Sequence, residues 1–208
     1  MKKIILPLIL LMTFGVHAQS RYFKTMEKNI QLLDSARTTD KLLEVSSSFE
    51  RIAETEKNKW LPYYYAALAQ TRIGLSKDNT INKDQVAQKA VVLAQKGEAI
   101  EKNGELCSIQ SMAATIQMLV DPQTRWQEFG TRASKAIEEG LQLDPSNPRL
   151  YYLKGSIIFN TPAFLNGGKS KAKPFFEKAL ELYSSTHVEP LYPSWGKNAT
   201  EHFLKRCE

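Results

Sequence analysis

The chain has 208 residues, 42% hydrophobic and 24% charged, with 28 basic against 22 acidic side chains and a formal net charge of +6. The basic excess is interspersed with acids, as at Glu101-Lys102 and Glu177-Lys178, and lacks the clustered stripe that reads nucleic acid, so no nucleic-acid partner is expected. Neither His-x3-His nor Cys-x2-Cys spacing occurs, so neither a metal site nor a cofactor is expected.

The first eighteen residues read as an export signal. Lys2 and Lys3 precede an apolar run from Ile4 to Val16, and Val16-His17-Ala18 supplies the small-x-small pattern of a cleavage site. At 1.5 Å rise that run spans about 20 Å, short of a bilayer core of about 30 Å, so no stable membrane span is predicted. No Cys follows the run, which excludes a lipid-modified terminus. The expected organisation is a signal peptide over 1–18 and one domain over 19–208, periplasmic or secreted and not lipid-anchored. About 190 residues suffice for a single core.

Helical periodicity runs through the remainder. Tyr22, Met26, Ile30 and Leu33 mark a first amphipathic helix, and Leu42, Val45, Phe49 and Ile52 a second, opened by Thr38-Thr39-Asp40. A third runs from Trp60 to about Leu75, with Pro62 tolerated near its start, and a fourth from Lys83 to Ala99. Gly104 opens a fifth through Val120, and the Asp121-Pro122 pair stops it. A sixth begins within Thr124 to Gly130 and ends at Leu143. Asp144-Pro145-Ser146-Asn147-Pro148 breaks the chain before a seventh helix over Arg149 to Asn160. Thr161 to Gly168 is a loop, the eighth helix continues to about Ser184, and Ser194 caps a last helix over Trp195 to Cys207.

Three of these helices share one signature: Ala87-x3-Val91-x2-Ala94, Ala133-x3-Ile137-x2-Gly140 and Ala172-x3-Phe176-x2-Ala179. Each places small, bulky and small residues on one face, where a neighbouring helix approaches closely, and their spacing of roughly forty residues predicts stacked helical hairpins. With Tyr151, Gly155 and Ile158 preceding the third signature, and Pro145 following the second, the pattern resembles tetratricopeptide repeats. The Pro148-Arg149-x-Tyr151-Tyr152 stretch and the Gly167-Gly168 insertion are similar to those of exported bacterial repeat proteins. The resemblance implies an all-α, right-handed solenoid of about four degenerate tetratricopeptide-like hairpins plus a C-terminal capping helix.

Stacked hairpins line a concave surface with their first helices. With Gly155 as the close-packing position, Tyr152, Phe159 and Asn160 turn toward that surface, as do Tyr64 and Thr71, and Gln110 and Gln117, on the two preceding first helices. Rings supply contact area and amides supply hydrogen bonds, a combination suited to a peptide or a small polar ligand. Arg125 with Trp126, and Phe164 with Asn166, lie in insertions beyond a minimal repeat and are candidates for a binding rim.

Catalytic patterns are incomplete. Ala163-x4-Gly168-Lys169-Ser170 satisfies a loose phosphate-loop spacing, but a helix precedes it where that chemistry requires a strand. Gly155-Ser156 lacks the second glycine of a nucleophile elbow. Cys107 and Cys207 allow a disulfide in an oxidising compartment, whereas an elongated solenoid separates their helices by nearly two repeats. The sequence therefore reads as an exported scaffold, not an enzyme, engaging an unidentified protein or peptide partner. The alternative is a small-molecule or glycan binding protein with an aromatic concave pocket.

Overall fold

The computed structural model describes residues 5–185 and 187–208, with side chains from Ser20 onward. The described residues form nine α-helices and no strand: α1 (Ile5–Ser35), α2 (Thr39–Glu56), α3 (Trp60–Gly74), α4 (Lys83–Glu98), α5 (Gly104–Met118), α6 (Pro122–Leu143), α7 (Pro148–Asn160), α8 (Lys169–Ser185) and α9 (Lys197–Lys205). A single 3-10 turn, Ala163–Leu165, lies between α7 and α8. The predicted signal, 1–18, falls outside the described side chains.

Side-chain caps open several of these helices. Asn82, Asn103 and Asn147 sit in extended backbone just before α4, α5 and α7, and their side-chain oxygens accept from the amides of Gln85, Leu106 and Arg149 at 3.0, 3.1 and 3.0 Å. Pro148 and Pro122 occupy first-turn positions, where a missing N–H costs nothing. Pro122 thus starts α6 instead of only stopping α5, and α6 begins earlier than the Thr124 to Gly130 stretch. The last helix is also corrected. It is capped by Gly196 without a side-chain bond, not by Ser194, and Trp195 stands outside it. Gly196 has φ 110°, and a Cβ there would sit 1.9 Å from the Tyr183 hydroxyl, so only glycine turns the chain into α9 at this point.

Consecutive helices pair antiparallel as hairpins α1–α2, α3–α4, α5–α6 and α7–α8, and the first helices α3, α5 and α7 also pack on one another. The result is an all-α solenoid of stacked hairpins. Ala87, Ala94, Ala133, Ile137, Ala172, Phe176 and Ala179 are each no more than 1% exposed, so the repeated signature is the hairpin seam. At Gly155 an added Cβ would meet the Phe176 ring at 2.7 Å, and at Gly140 it would meet Leu150 at 2.8 Å. One core cluster extends from Met26 on α1 to Ile116 on α5. A second centre at the C-terminal end gathers Phe176, Phe203, Phe159 and Tyr152, with Phe176 and Phe203 stacked at 5.3 Å.

Candidate functional site

The groove lined by α3, α5 and α7 is crossed by the chain's own residues 187–196. Tyr65 on α3 donates its hydroxyl to the Leu191 carbonyl at 2.7 Å. Arg149 on α7 donates through Nη1 to the Pro193 carbonyl at 3.0 Å, and Tyr183 on α8 donates to the Trp195 carbonyl at 3.0 Å. The Trp195 indole N–H in turn donates to the Tyr64 hydroxyl at 2.6 Å. Side chains from two hairpins, α3–α4 and α7–α8, therefore hold this strap as a binding groove holds an extended peptide, by its backbone carbonyls and one inserted aromatic ring. Leu191 adopts φ 69°, uncommon for a branched residue, at the bend of the strap.

A buried ion pair underlies the strap. Glu105, in the first turn of α5, accepts from Arg149 Nε at 2.9 and 2.8 Å and also from Arg149 Nη2, while Asn147 Nδ2 donates to it at 2.6 Å. Glu105 and Arg149 are 6% and 8% exposed, so each depends on the other for its charge partner. Burial opposes the Arg149 charge, but Glu105 more than offsets it and the guanidinium pKa is raised. Burial is also the main reason that the Tyr64, Tyr65 and Tyr183 phenols are pushed up, with the Glu105 charge adding to it.

Beside the strap, at the edge where one hairpin hands over to the next, lies a cleft of about 340 Å3. Trp60, Leu143, Tyr183, His187, Val188 and Tyr192 give it aromatic and aliphatic walls, and Lys102, Asp144 and Ser146 lie at its polar side. Trp60 meets the Tyr192 ring edge-to-face at 5.6 Å, and Tyr192 remains 43% exposed. Burial raises the Tyr192 pKa, reinforced by the charges of Glu101, Glu105 and Glu189. Lys102 pairs with Glu139. The cleft thus combines flat apolar contact with a few polar groups, the usual make-up of a small-molecule site.

The residues singled out in the sequence fall in different places. Tyr64 and Thr71 are fully buried, Tyr64 under Trp195 and Thr71 with its hydroxyl on the Leu68 carbonyl at 2.8 Å. Tyr152 packs against Trp195, Phe176 and Phe203; Phe159 lies under the Arg206 guanidinium, 4.7 Å from the ring centre. Gln110 is half-buried and faces the Glu98 side chain on α4, whose pKa it lowers against the raising effect of burial. Gln117 is half-buried, and its carbonyl accepts from Arg125 Nη1 at 3.2 Å. Asn160 is exposed and donates to the Ser156 carbonyl at 2.8 Å.

Of the rim candidates, Arg125 is tied to Asp84 at 2.7 Å, and Asn166 accepts from Lys171. Trp126 and Phe164 are 51% and 85% exposed. None of these residues lines the cleft. Of its walls, His187, Val188 and Tyr192 belong to a non-helical stretch without periodicity, and the two prolines around Leu191-Tyr192 are the one local sign there of a fixed extended path.

No family model and no curated protein matches the chain. Among solved structures it is similar to the HusA haemophore from Porphyromonas gingivalis, with a TM-score of 0.83 and 32% identity, covering 90% of this chain and 92% of that one. At that identity, over nearly the whole length of both chains, the protein belongs to the family of the HusA haemophore.

Proposed function

We propose that the protein is an exported carrier of a flat, largely apolar small molecule of the haem type, seated in the cleft beside the strap. The observation that carries this reading is the 32% identity to a haemophore over 92% of that chain. The cleft supports it through the Trp60 and Tyr192 rings, which offer faces and edges to a macrocycle, and through Lys102, which suits a carboxylate at its edge. A volume of about 340 Å3 holds part of such a ring and leaves the remainder exposed, as befits cargo that must be handed on.

The donor chemistry favours stacking over coordination of the iron. Burial and the neighbouring carboxylates disfavour the Tyr192 phenolate, and among the described residues the exposed His187 has no hydrogen-bonded partner to orient a ligating imidazole. The strap occupies the groove that a peptide partner would need, which favours the small-molecule alternative over the scaffold. Export from the Lys2-Lys3 signal, a binding role without turnover, and descent of the hairpins from tetratricopeptide repeats are parts of the same proposal, the last supported by the buried Ala-Phe-Ala seam of α8.

The test is titration of the exported protein, its N-terminus fixed by mass spectrometry, with ferric haem. Soret absorbance and tryptophan fluorescence should give saturable binding that weakens about tenfold in Tyr192→Ser, the scale of one lost aromatic contact. His187→Ala should leave the Soret maximum in place. Absence of saturable haem binding, or binding indifferent to Tyr192, would overturn the proposal.

A further inference from the structure

We propose that the turn between α7 and α8 docks the protein peripherally on an anionic lipid bilayer. Phe164 at the tip of this turn is 85% exposed, the highest value of any large hydrophobic side chain among the described residues, and Leu165 beside it is 44% exposed. A solitary exposed leucine is ordinary, but a phenylalanine held almost wholly in water at the apex of a turn is not.

The turn is built to present that ring. Leu165 N–H and Gly167 N–H both donate to the Pro162 carbonyl, at 3.0 and 3.1 Å, and Gly168 N–H reaches back to the Ile158 carbonyl at 2.9 Å. Gly168 has φ 105°, and a Cβ at Gly167 would sit 2.1 Å from the Thr161 carbonyl oxygen, so the two glycines are what let the turn close. Asn166 takes the left-handed conformation at φ 67°, with its side-chain oxygen accepting from Lys171. The tip is therefore a fixed projection, and no neighbouring side chain folds over Phe164.

Charge identifies the occupant. From Asn160 to Phe176 the chain carries Lys169, Lys171 and Lys173 and no acid. Lys173 lies 4.0 Å from Glu177, whereas among the described residues neither Lys169 nor Lys171 pairs with a carboxylate. An aromatic tip collared by lysines matches the bilayer interface, where rings settle at headgroup depth and basic side chains meet anionic headgroups. A protein partner of ordinary affinity needs a broad complementary patch of about 800 Å2 a side, which a two-residue projection does not supply. Leu119 and Val120, 48% and 43% exposed at the corresponding turn of the preceding hairpin, add apolar surface at the same end of the stack, beside Asp121. No described helix is long and apolar enough to cross a membrane, so the contact is peripheral.

The test is co-sedimentation of the exported protein with phosphatidylglycerol-containing vesicles and with pure phosphatidylcholine vesicles. Wild type should bind the anionic vesicles, salt-sensitively, and the double variant Phe164→Ser/Leu165→Ser should bind about tenfold or more weakly, with unchanged circular dichroism and melting. In Phe164→Trp, emission should shift to the blue with anionic vesicles only. Absence of wild-type binding, equal binding by the double variant, or an unshifted Trp spectrum would overturn the proposal, including the case in which the tip docks on a protein. Haem titration of the double variant keeps the two proposals apart, because the turn lies outside the cleft.

Discussion

The Trp195 indole N–H donates to the Tyr64 hydroxyl at 2.6 Å, joining residues 131 positions apart. Tyr64 is fully buried, and its ring also meets Trp60 edge-on at 6.0 Å. The bond thus links the hollow of the solenoid, the strap that fills it and the wall of the neighbouring cleft. The face most open to a ligand in a bare stack of hairpins is closed from within, and the accessible aromatic surface moves to the strap's edge at Tyr192.

Trp195→Phe should therefore destabilise the fold by about 1–3 kcal/mol, the cost of leaving the Tyr64 hydroxyl buried without this donor. Urea unfolding of Trp195→Phe, Tyr64→Phe and the double variant separates this from simple volume loss. The double variant should be less destabilised than the sum of the two singles, since removing both polar partners relieves the unmet group. Strict additivity would show that the bond contributes nothing.

Much of the architecture was legible because it is local. The Ala-x3-Phe-x2-Ala spacing fixes a helix face, and Gly155 reads as a close approach because Phe176 lies in the very next helix. The groove's occupant was not legible. The Tyr65–Leu191 and Tyr64–Trp195 bonds span 126 and 131 residues, and residues 187–196 carry no period that sequence reasoning can follow. Register explains Gln110: it lies five positions after Glu105, which at 100° per residue turns it about 140° away from the strap and toward α4. Trp195 fits a helical stripe in the sequence, but its tertiary bond to Tyr64 pulls it into the groove, and the last helix starts only at Lys197.

Arg149→Met should be the more damaging change at the ion pair. It strips the buried Glu105 of its counter-charge and releases the Pro193 carbonyl, a loss of about 3–5 kcal/mol. Adding Glu105→Leu should restore part of it, because two apolar residues leave no orphan charge. Chemical denaturation of the three variants reads this directly. A double variant as unstable as the sum of its parts would mean that Glu105 and Arg149 act independently.

Stability should fall as pH rises above about 10. Tyr22 is pushed up to about 12, first by burial and then by the Glu56 charge, and the buried Tyr64, Tyr65 and Tyr183 phenols are raised in the same direction. A group whose folded pKa is raised holds its proton in the fold and releases it on unfolding, so its contribution is complete below the unfolded pKa of about 10 and is lost as pH climbs through the folded value. Melting temperatures from pH 8 to 11 should decline above pH 10, and Tyr22→Phe should soften the decline. A flat profile would show that these phenols ionise without unfolding.

The two cysteines should report on opening of the fold. Both are free: Cys107 is buried in α5 against the α6 seam, and Cys207 is half-buried beyond α9. Burial, reinforced by Glu98 and Glu139, pushes the Cys107 thiol up to about 11, so at pH 8 it presents almost no thiolate and no path to a reagent. Cys207 is raised as well, by burial, with Lys169, Lys173 and Arg206 opposing the shift. A disulfide-exchange reagent at pH 8 should therefore label Cys207 first. Cys107 should follow only at the rate at which α5 and α6 separate, and two thiols should titrate in denaturant. Because Cys107 touches Gly140, where an added Cβ would stand 2.9 Å from its own, Gly140→Ala should accelerate the slow phase without changing the fast one. Equal labelling rates in the native protein would mean that the α5–α6 seam is open in solution.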